Sequence, residues 1–308
     1  MIDERKALFE SLGGLPETTV TNSEWLYMLH EDTRQSLAIE GYVRTEEQLD
    51  AALHGAKTDL DISNYYRAAS TLYDQALQYY REASVPPLNL AVVRHIHSEL
   101  FRELDNRRGE FRRGGIRIGR AKVTPPEHDI ETYVNAAMTI TDAAARAPSV
   151  LSALARTHML FESIHPFNDG NWRTGRILLN YLAIIKGLPP IVIKGMTSED
   201  RDRYYAALEA ADSGFHRGFP EPTVAALSKR VEEGNFAPLS QLLLDGLLPR
   251  LDRLIAIALE RHEPLLELSA VAAQLGITEG ALRVRIHRGR HIAIKRGKRL
   301  YSHPRLAL

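Results

Sequence analysis

Between residues 22 and 261 the chain is written mostly in a helical period. Trp25, Leu26, Leu29 and Leu37 recur along 22–39 at spacings of three, four and eight, which gathers them on one face of a helix. Windows 45–54 and 61–82 read the same way. Pro86-Pro87 then breaks the pattern, and a helix rich in Val, Ile and Leu is predicted to continue to Leu104. Further helices are predicted over 127–144, 149–163, 173–186, 198–213, 222–233 and 238–261. Gly187, with Pro189 and Pro190 beyond it, stops the 173–186 helix. Two windows depart from this rule. In 109–126, Gly109, Gly114, Gly115 and Gly119 surround an alternating Ile116-Arg117-Ile118 ahead of Pro125-Pro126, which predicts a loop with a short β-hairpin over 115–124. The window 165–172 is a polar loop. The fold class expected is therefore all-α, with one small hairpin in the helical core.

The 308 residues are ample for two or three domains. The chain has no cysteine, which excludes a disulfide framework, a thiol nucleophile and any cysteine-ligated metal. Met1 to Glu10 has no apolar segment of the kind a signal peptide needs. The greasiest run, Ile177 to Ile185, is too short to cross a bilayer and contains Asn180. A cytoplasmic protein with no membrane partner is the expectation. Formal charge is zero, with 39 basic and 39 acidic residues, but it is unevenly spread. From Pro264 onward nine basic residues (Arg283, Arg285, Arg288, Arg290, Lys295, Arg296, Lys298, Arg299 and Arg305) meet only Glu267 and Glu279, a net +7; the rest carries 30 basic against 37 acidic, a net −7. Such asymmetry suggests two modules, one of them facing a polyanion.

The densest chemistry lies in His165-Pro166-Phe167-Asn168-Asp169-Gly170-Asn171-Trp172-Arg173-Thr174-Gly175-Arg176, directly before an apolar helix. Backbone N–H groups at Gly170, Asn171 and Trp172 can form an anion nest at the helix N-terminus. Arg173 and Arg176, three apart, share a face and can fork onto phosphate oxygens. Asp169 can hold one Mg²⁺, an ion that takes one or two carboxylates and completes its shell with phosphates and water. His165 titrates in the range suited to accepting a proton from a hydroxyl. Phe167 is the expected inward anchor of the loop. There is no GxxxxGK[S/T] string, so a P-loop is not indicated. His95 and Glu99, four apart on a helix, lack a third ligand at a recognisable spacing and read as surface or core.

This stretch resembles the signature of the Fic family, HPFx[D/E]GN[G/K]RxxR, at every position except Trp172, where the family has glycine or lysine. The context from about 20 to 250 also resembles the family core. The resemblance implies a protein adenylyltransferase: AMP passes from ATP to a Ser, Thr or Tyr hydroxyl of a protein, itself included. It implies that His165 deprotonates the hydroxyl and that Mg²⁺ on Asp169 stabilises the departing pyrophosphate. Gly170, Asn171, Trp172, Arg173, Thr174, Gly175 and Arg176 then form the phosphate side of the nucleotide site, with Arg176 on the γ-phosphate. The 115–124 hairpin corresponds to a flap in which Ile118, Gly119, Arg120 and Ala121 reach the nucleotide. Tyr204-Tyr205 and Asp212 resemble the family's adenosine-side YY…N pattern, with Asp212 in place of Asn; for Tyr204, core packing is an equal reading.

Ser36-Leu37-Ala38-Ile39-Glu40-Gly41 resembles the family's inhibitory motif, [S/T]xxxE[G/N]. In that reading Glu40 pairs with Arg176, removes the γ-phosphate's partner and leaves ATP in a pose that is not in line. In some relatives the same glutamate orients a water that removes AMP, so removal is a second implied activity. Inhibited relatives often self-associate, which makes a homodimer an expectation.

At the C-terminus, Leu268–Leu275 predicts a small helix, Gly276 a turn, and Thr278 an N-cap for a second helix from Glu279. Ile292-Ala293-Ile294 and Leu300-Tyr301 flank a basic tip and predict a hairpin. The stretch resembles a winged helix-turn-helix, for which DNA binding through 264–308 and protein docking are equal readings. The expected domains are an N-terminal helical region with the inhibitory motif over 1–90, a Fic core over 91–262, and the winged module over 263–308. A DNA-binding regulator with a nucleotide-sensing core is the alternative to the enzyme.

Overall fold

The computed structural model describes residues 2–18, 22–40, 45, 47–48, 51, 59–84, 88–119, 121–145 and 150–308. Arg120, Gly41, Pro86-Pro87 and most of the helix expected over 45–54 lie outside these residues. The helices in chain order are α1 (Ile2–Ser11), α2 (Ser23–Ile39), α3 (Leu60–Arg81), α4 (Leu90–Leu100), α5 (Ile130–Ala145), α6 (Val150–Ile164), α7 (Asn171–Ile185), α8 (Ser198–Ala211), α9 (Val224–Glu232) and α10 (Ala237–Glu260). They are followed by β1 (Leu266–Glu267), α11 (Leu268–Gln274), α12 (Glu279–His287), β2 (His291–Arg296) and β3 (Arg299–Ala307). The chain is mostly helical with one small sheet, as its periodicity predicts.

Two compact units divide the chain. One comprises Glu17–Lys186 and Pro190–Gly246, the other Met1–Pro16, Gly187–Pro189 and Leu247–Leu308. The division falls within α10, between Gly246 and Leu247, and Pro264 follows the end of that helix.

In the larger unit α7 is the central element, packed against α2, α3, α4 and α6. Its residues from Arg173 to Ile185 are all buried, as expected of a helix apolar on nearly every side. Asn180 is accommodated there because its amide donates to Tyr73 Oη (2.9 Å) and its carbonyl accepts from the Ile191 N–H (2.7 Å). Side-chain caps begin several helices: Asn22 accepts from the N–H groups of Glu24 and Trp25, and Thr197 from that of Asp200. A buried carboxylate, Asp32 on α2, accepts from Tyr65 Oη and Tyr73 Oη of α3, both at 3.0 Å, and fixes α2 on α3.

Two local expectations change. The helix predicted to reach Leu104 ends at Leu100, because Phe101 turns inward to stack on His97 (4.5 Å between rings) and Glu103 takes a positive φ of 63°. The segment 115–124 turns where a hairpin was expected, closed by Ala121 N–H donating to Ile118 O at 2.8 Å. Its arms form no strand ladder among the described residues. Two short arms without a third strand gain too little to hold one.

In the smaller unit, Arg5 of α1 is buried and donates to Asp252 (2.6 Å) and to Gly289 O (3.2 Å). Leu268, Val271, Ala272 and Leu282 form a core beneath an antiparallel sheet of order β1-β3-β2. Thr278 caps α12 by accepting from the Ala281 N–H, and β2 and β3 turn about Gly297-Lys298, with Arg296 opposite Arg299.

Candidate active site

The loop from His165 to Gly170 is held from several sides. Phe167 is fully buried and stacks on His97 at 3.8 Å between ring centroids. Asn171 braces the loop reciprocally: its Oδ1 accepts from the Phe167 N–H and its Nδ2 donates to Phe167 O, both at 2.8 Å. Gly170 takes a left-handed φ of 72° to open α7, and a Cβ there would lie 2.2 Å from Phe101 Cε2. Only glycine meets both demands. The start of α7 two residues earlier than expected puts Asn171 and Trp172 in its first turn.

His165 is 8% exposed and has a positive φ of 51°. Its Nδ1 lies 3.1 Å from Glu162 O. A carbonyl only accepts, so Nδ1 carries the proton and Nε2 keeps a lone pair. Burial lowers its pKa to about 4, so the ring is neutral at ordinary pH.

Arg173 and Arg176 are both almost fully buried. Arg173 is surrounded by acids: Nε is 2.8 Å from Glu40 Oε2, Nη1 donates to Asp61 at 2.6 Å, and Nη2 is 3.6 Å from Asp169. Its guanidinium also lies 4.9 Å from the Phe101 ring centroid. Arg176 donates through Nε to Ser36 Oγ (2.8 Å) and through Nη2 to Ser36 O (2.6 Å). Glu40 is 3.9 Å from Arg176 Nη2, so the fork expected onto Arg176 is replaced by a closer contact with Arg173. Helical spacing explains this. Ser36 and Glu40 are one turn apart on α2, as Arg173 and Arg176 are on α7, and each residue meets its counterpart. Burial raises the Glu40 pKa against the pull of Arg173, Arg176 and the Arg173 backbone N–H. The carboxylate thus occupies the N-terminal end of α7.

A cavity of about 570 Å³ adjoins this cluster. Ile118, Gly119, Ala121, Trp172, Tyr205 and Asp212 line it together. Trp172 sits within 5.7 Å of the rings of His165, Tyr204 and Tyr205, so the exceptional residue of the signature forms an aromatic wall. Tyr205 Oη donates to Ile39 O at 3.2 Å. Tyr204 is buried beside His158 at 2.7 Å. Asp212 lies 2.6 Å from His216 Nε2; burial pushes its pKa up to about 6 although His216 opposes the rise. Thr174 is fully buried, and Gly175 faces Glu162.

Asp169 fits a single Mg²⁺ of the kind phosphates complete: its carboxyl is 71% exposed and accepts the Gly170 N–H at 2.6 Å. Among the described residues no cluster of three or more metal-ligating side chains occurs.

Four residues that matter here were not legible as such in the sequence. Arg112 donates to the carbonyls of Gly114, Pro126 (2.7 Å), Ile164 (3.0 Å) and His165 (2.7 Å), tying the 112–126 segment to the loop at His165. His97 accepts from the Gly109 N–H (2.8 Å) and so donates through Nε2 to Asp169 O (3.2 Å). Asp61 approaches from the distant helix α3, and Glu162 lies on the last turn of α6, just before the loop. Only Arg112, set in a glycine-rich window, had a local signal.

The site therefore gathers a buried histidine, the N-terminal end of α7 and two buried arginines beside an aromatic-walled cavity. Residues 87–183 match the Fic/DOC family, and this segment of the chain is a Fic domain. A probable protein adenylyltransferase of Aquifex aeolicus is 30% identical over 193 residues, covering 61% of this chain and 56% of that protein. The protein adenylyltransferase fic-1 of Caenorhabditis elegans is 32% identical over 111 residues, covering 36% of this chain and 21% of that one. The chain thus spans about half the length of the first of these relatives and less of the other. The solved structure of a Fic-domain-containing signalling protein from Bacteroides thetaiotaomicron shares the fold with a TM-score of 0.66 at 20% identity, covering 83% of this chain and 96% of that one. No described helix is long and apolar enough to cross a membrane.

Proposed function

We propose that the chain is an autoinhibited protein adenylyltransferase that moves AMP from ATP onto a Ser, Thr or Tyr hydroxyl of a protein. The observation that carries this reading is the tautomer of His165. With Nδ1–H committed to Glu162 O, Nε2 is free to act as a base beside the α7 anion nest. The hydroxyl proton passes to Nε2, the oxygen attacks the α-phosphorus, and the bond from that phosphorus to the oxygen bridging it to the β-phosphate breaks, releasing pyrophosphate. The N–H groups of the nest and Arg173 stabilise charge on the phosphates. Asp169 would hold Mg²⁺, whose charge offsets that of the phosphates when it is bound.

Glu40 acts as the brake. Its carboxylate lies within ion-pair distance of both arginines and takes the place a phosphate needs. The same carboxylate, facing a modified hydroxyl, can orient water for AMP removal. Incubating the protein with ATP labelled at the α- or the γ-phosphate tests the reading: covalent label from the α position alone supports it, and label from the γ position alone makes the protein a kinase instead.

The C-terminal unit favours a second activity, DNA binding. On exposed α12 and the β2–β3 turn, Arg285, Arg288 and Lys298 have no carboxylate partner among the described residues, whereas Arg283, Arg296, Arg299 and Arg305 are paired with Glu279, Glu260, Glu267 and Glu263. A salt-sensitive mobility shift by the full chain, lost on Arg285→Ala with Arg288→Ala, is the expected result.

A further inference from the structure

The mechanism above leaves one buried polar group unused, the carboxyl of Glu162. It lies on the last turn of α6, and the residue is only 2% exposed. Neither carboxyl oxygen has a hydrogen-bond partner among the described residues. A buried polar group left in this state is costly, so native proteins rarely retain one without use. His158 Nδ1, at 3.9 Å, is beyond hydrogen-bond reach.

Room has nevertheless been made for this carboxyl. A Cβ on Gly175 would fall 2.1 Å from Glu162 Oε1 and 2.9 Å from its carboxyl carbon, so the absence of a side chain there lets the group lie against the α7 backbone. Glu162 also lines the cavity of about 570 Å³, together with Ser163, Trp172, Tyr205 and Asp212. Arg176 is close enough to act on it electrostatically, and Arg176 Nη1 is likewise without a partner. The wall of a ligand-sized space thus carries an unsatisfied acid, and an unsatisfied guanidinium N–H belongs to the arginine that acts on it electrostatically.

Resting on the reading of this cavity as a nucleotide site, we infer that the Glu162 carboxyl hydrogen-bonds an oxygen of the bound nucleotide next to the group held by Arg176. That oxygen belongs to a phosphate or to a ribose hydroxyl. Burial raises the Glu162 pKa well above the ordinary value against the opposing pull of Arg176, and nearby Glu40 raises it further. Burial thus favours the neutral acid, which has an O–H to donate and a carbonyl oxygen to accept. Donation suits a phosphate oxygen; donation together with acceptance suits a ribose hydroxyl. An ionised carboxylate would repel the first and could only accept from the second.

The test uses the full chain carrying Glu40→Gly, so that the arginines are released from Glu40. Glu162→Gln keeps a donor in the same shape, whereas Glu162→Met keeps the length and removes it. Equilibrium binding of ATP, 2′-deoxy-ATP, 3′-deoxy-ATP and adenosine is measured, with thermal melting as the check on folding. The Met variant is expected to bind ATP about tenfold more weakly and the Gln variant to stay within about threefold of the parent. If a phosphate is the partner, the Met penalty vanishes with adenosine. If a ribose hydroxyl is the partner, it vanishes with one of the deoxy compounds. An equal penalty for all four ligands, or none for ATP, overturns the inference while leaving the nucleotide site intact. Failure of the parent to bind any nucleotide overturns both.

Discussion

Arg173 and Arg283 each sit beside a carboxylate, and the two pairs do different work. The Arg173 side chain is 2% exposed and its Glu40 partner 9%; those of Arg283 and Glu279 are 56% and 41% exposed. In water the exposed pair is worth at most about 1 kcal/mol and gives way readily to a phosphate. The buried arginine holds Glu40 more firmly, because a buried charge short of its partners is costly. An anion that enters the core must therefore displace Glu40, whereas one that meets α12 exchanges with solvent. The same residue type sits in a closed, buried cluster in one unit and on an open surface in the other.

The largest effect is expected at the base. His165→Ala should lower transfer of α-phosphate label by about 10²–10⁴-fold while leaving ATP binding largely intact. Retained transfer would remove His165 from the chemistry and with it the reason to separate the two regions. Next comes the brake. Glu40→Gly should raise labelling of the protein or its target by about tenfold or more. Arg173 keeps a second acid, since Asp61 Oδ1 is 2.6 Å from its Nη1. Asp61→Asn in the Glu40→Gly background should add a further increase of about two- to fivefold, read as initial rate at low ATP. No increase in the double variant would mean that Asp61 positions Arg173 rather than competing with phosphate.

The loop's backbone sharpens the contrast from another side. Gly170→Ala places a methyl against Phe101 in a left-handed conformation, and should cost about 1–3 kcal/mol by thermal melting together with most of the transfer activity. Gly297, at φ 58° in the β2–β3 turn, has nothing within 4 Å of its Cβ position. Alanine there strains the backbone alone and should leave transfer unchanged.

Much of this was legible in the sequence because it depends on local pattern. Helical spacing gave α2 and α7, the Thr278 cap gave α12, and the signature from His165 to Arg176 marked the loop. Partners brought together by tertiary packing were not legible. Asp61 reaches Arg173 across more than a hundred residues of sequence, and Glu162 reads as an ordinary glutamate until Gly175 is seen against it. The expected Glu40–Arg176 fork shows the same limit: the motif places Glu40 at the end of α2, but the packing of α2 on α7 decides which arginine it meets.

The smallest effect expected is in pH dependence, and it bears on burial directly. An exposed histidine base loses its free lone pair as pH falls through about 6.5. Burial lowers His165 to about 4, so its base form persists into that lower range. Transfer at saturating ATP, followed as initial rate, should therefore stay nearly flat from pH 8 down to about 5.5 and fall only below that. An inflection near 6.5 would mean that His165 is solvated in the working enzyme and that the core opens to admit substrate. In that case the core arginines too would be exposed during turnover, and the contrast with α12 would hold only for the resting state.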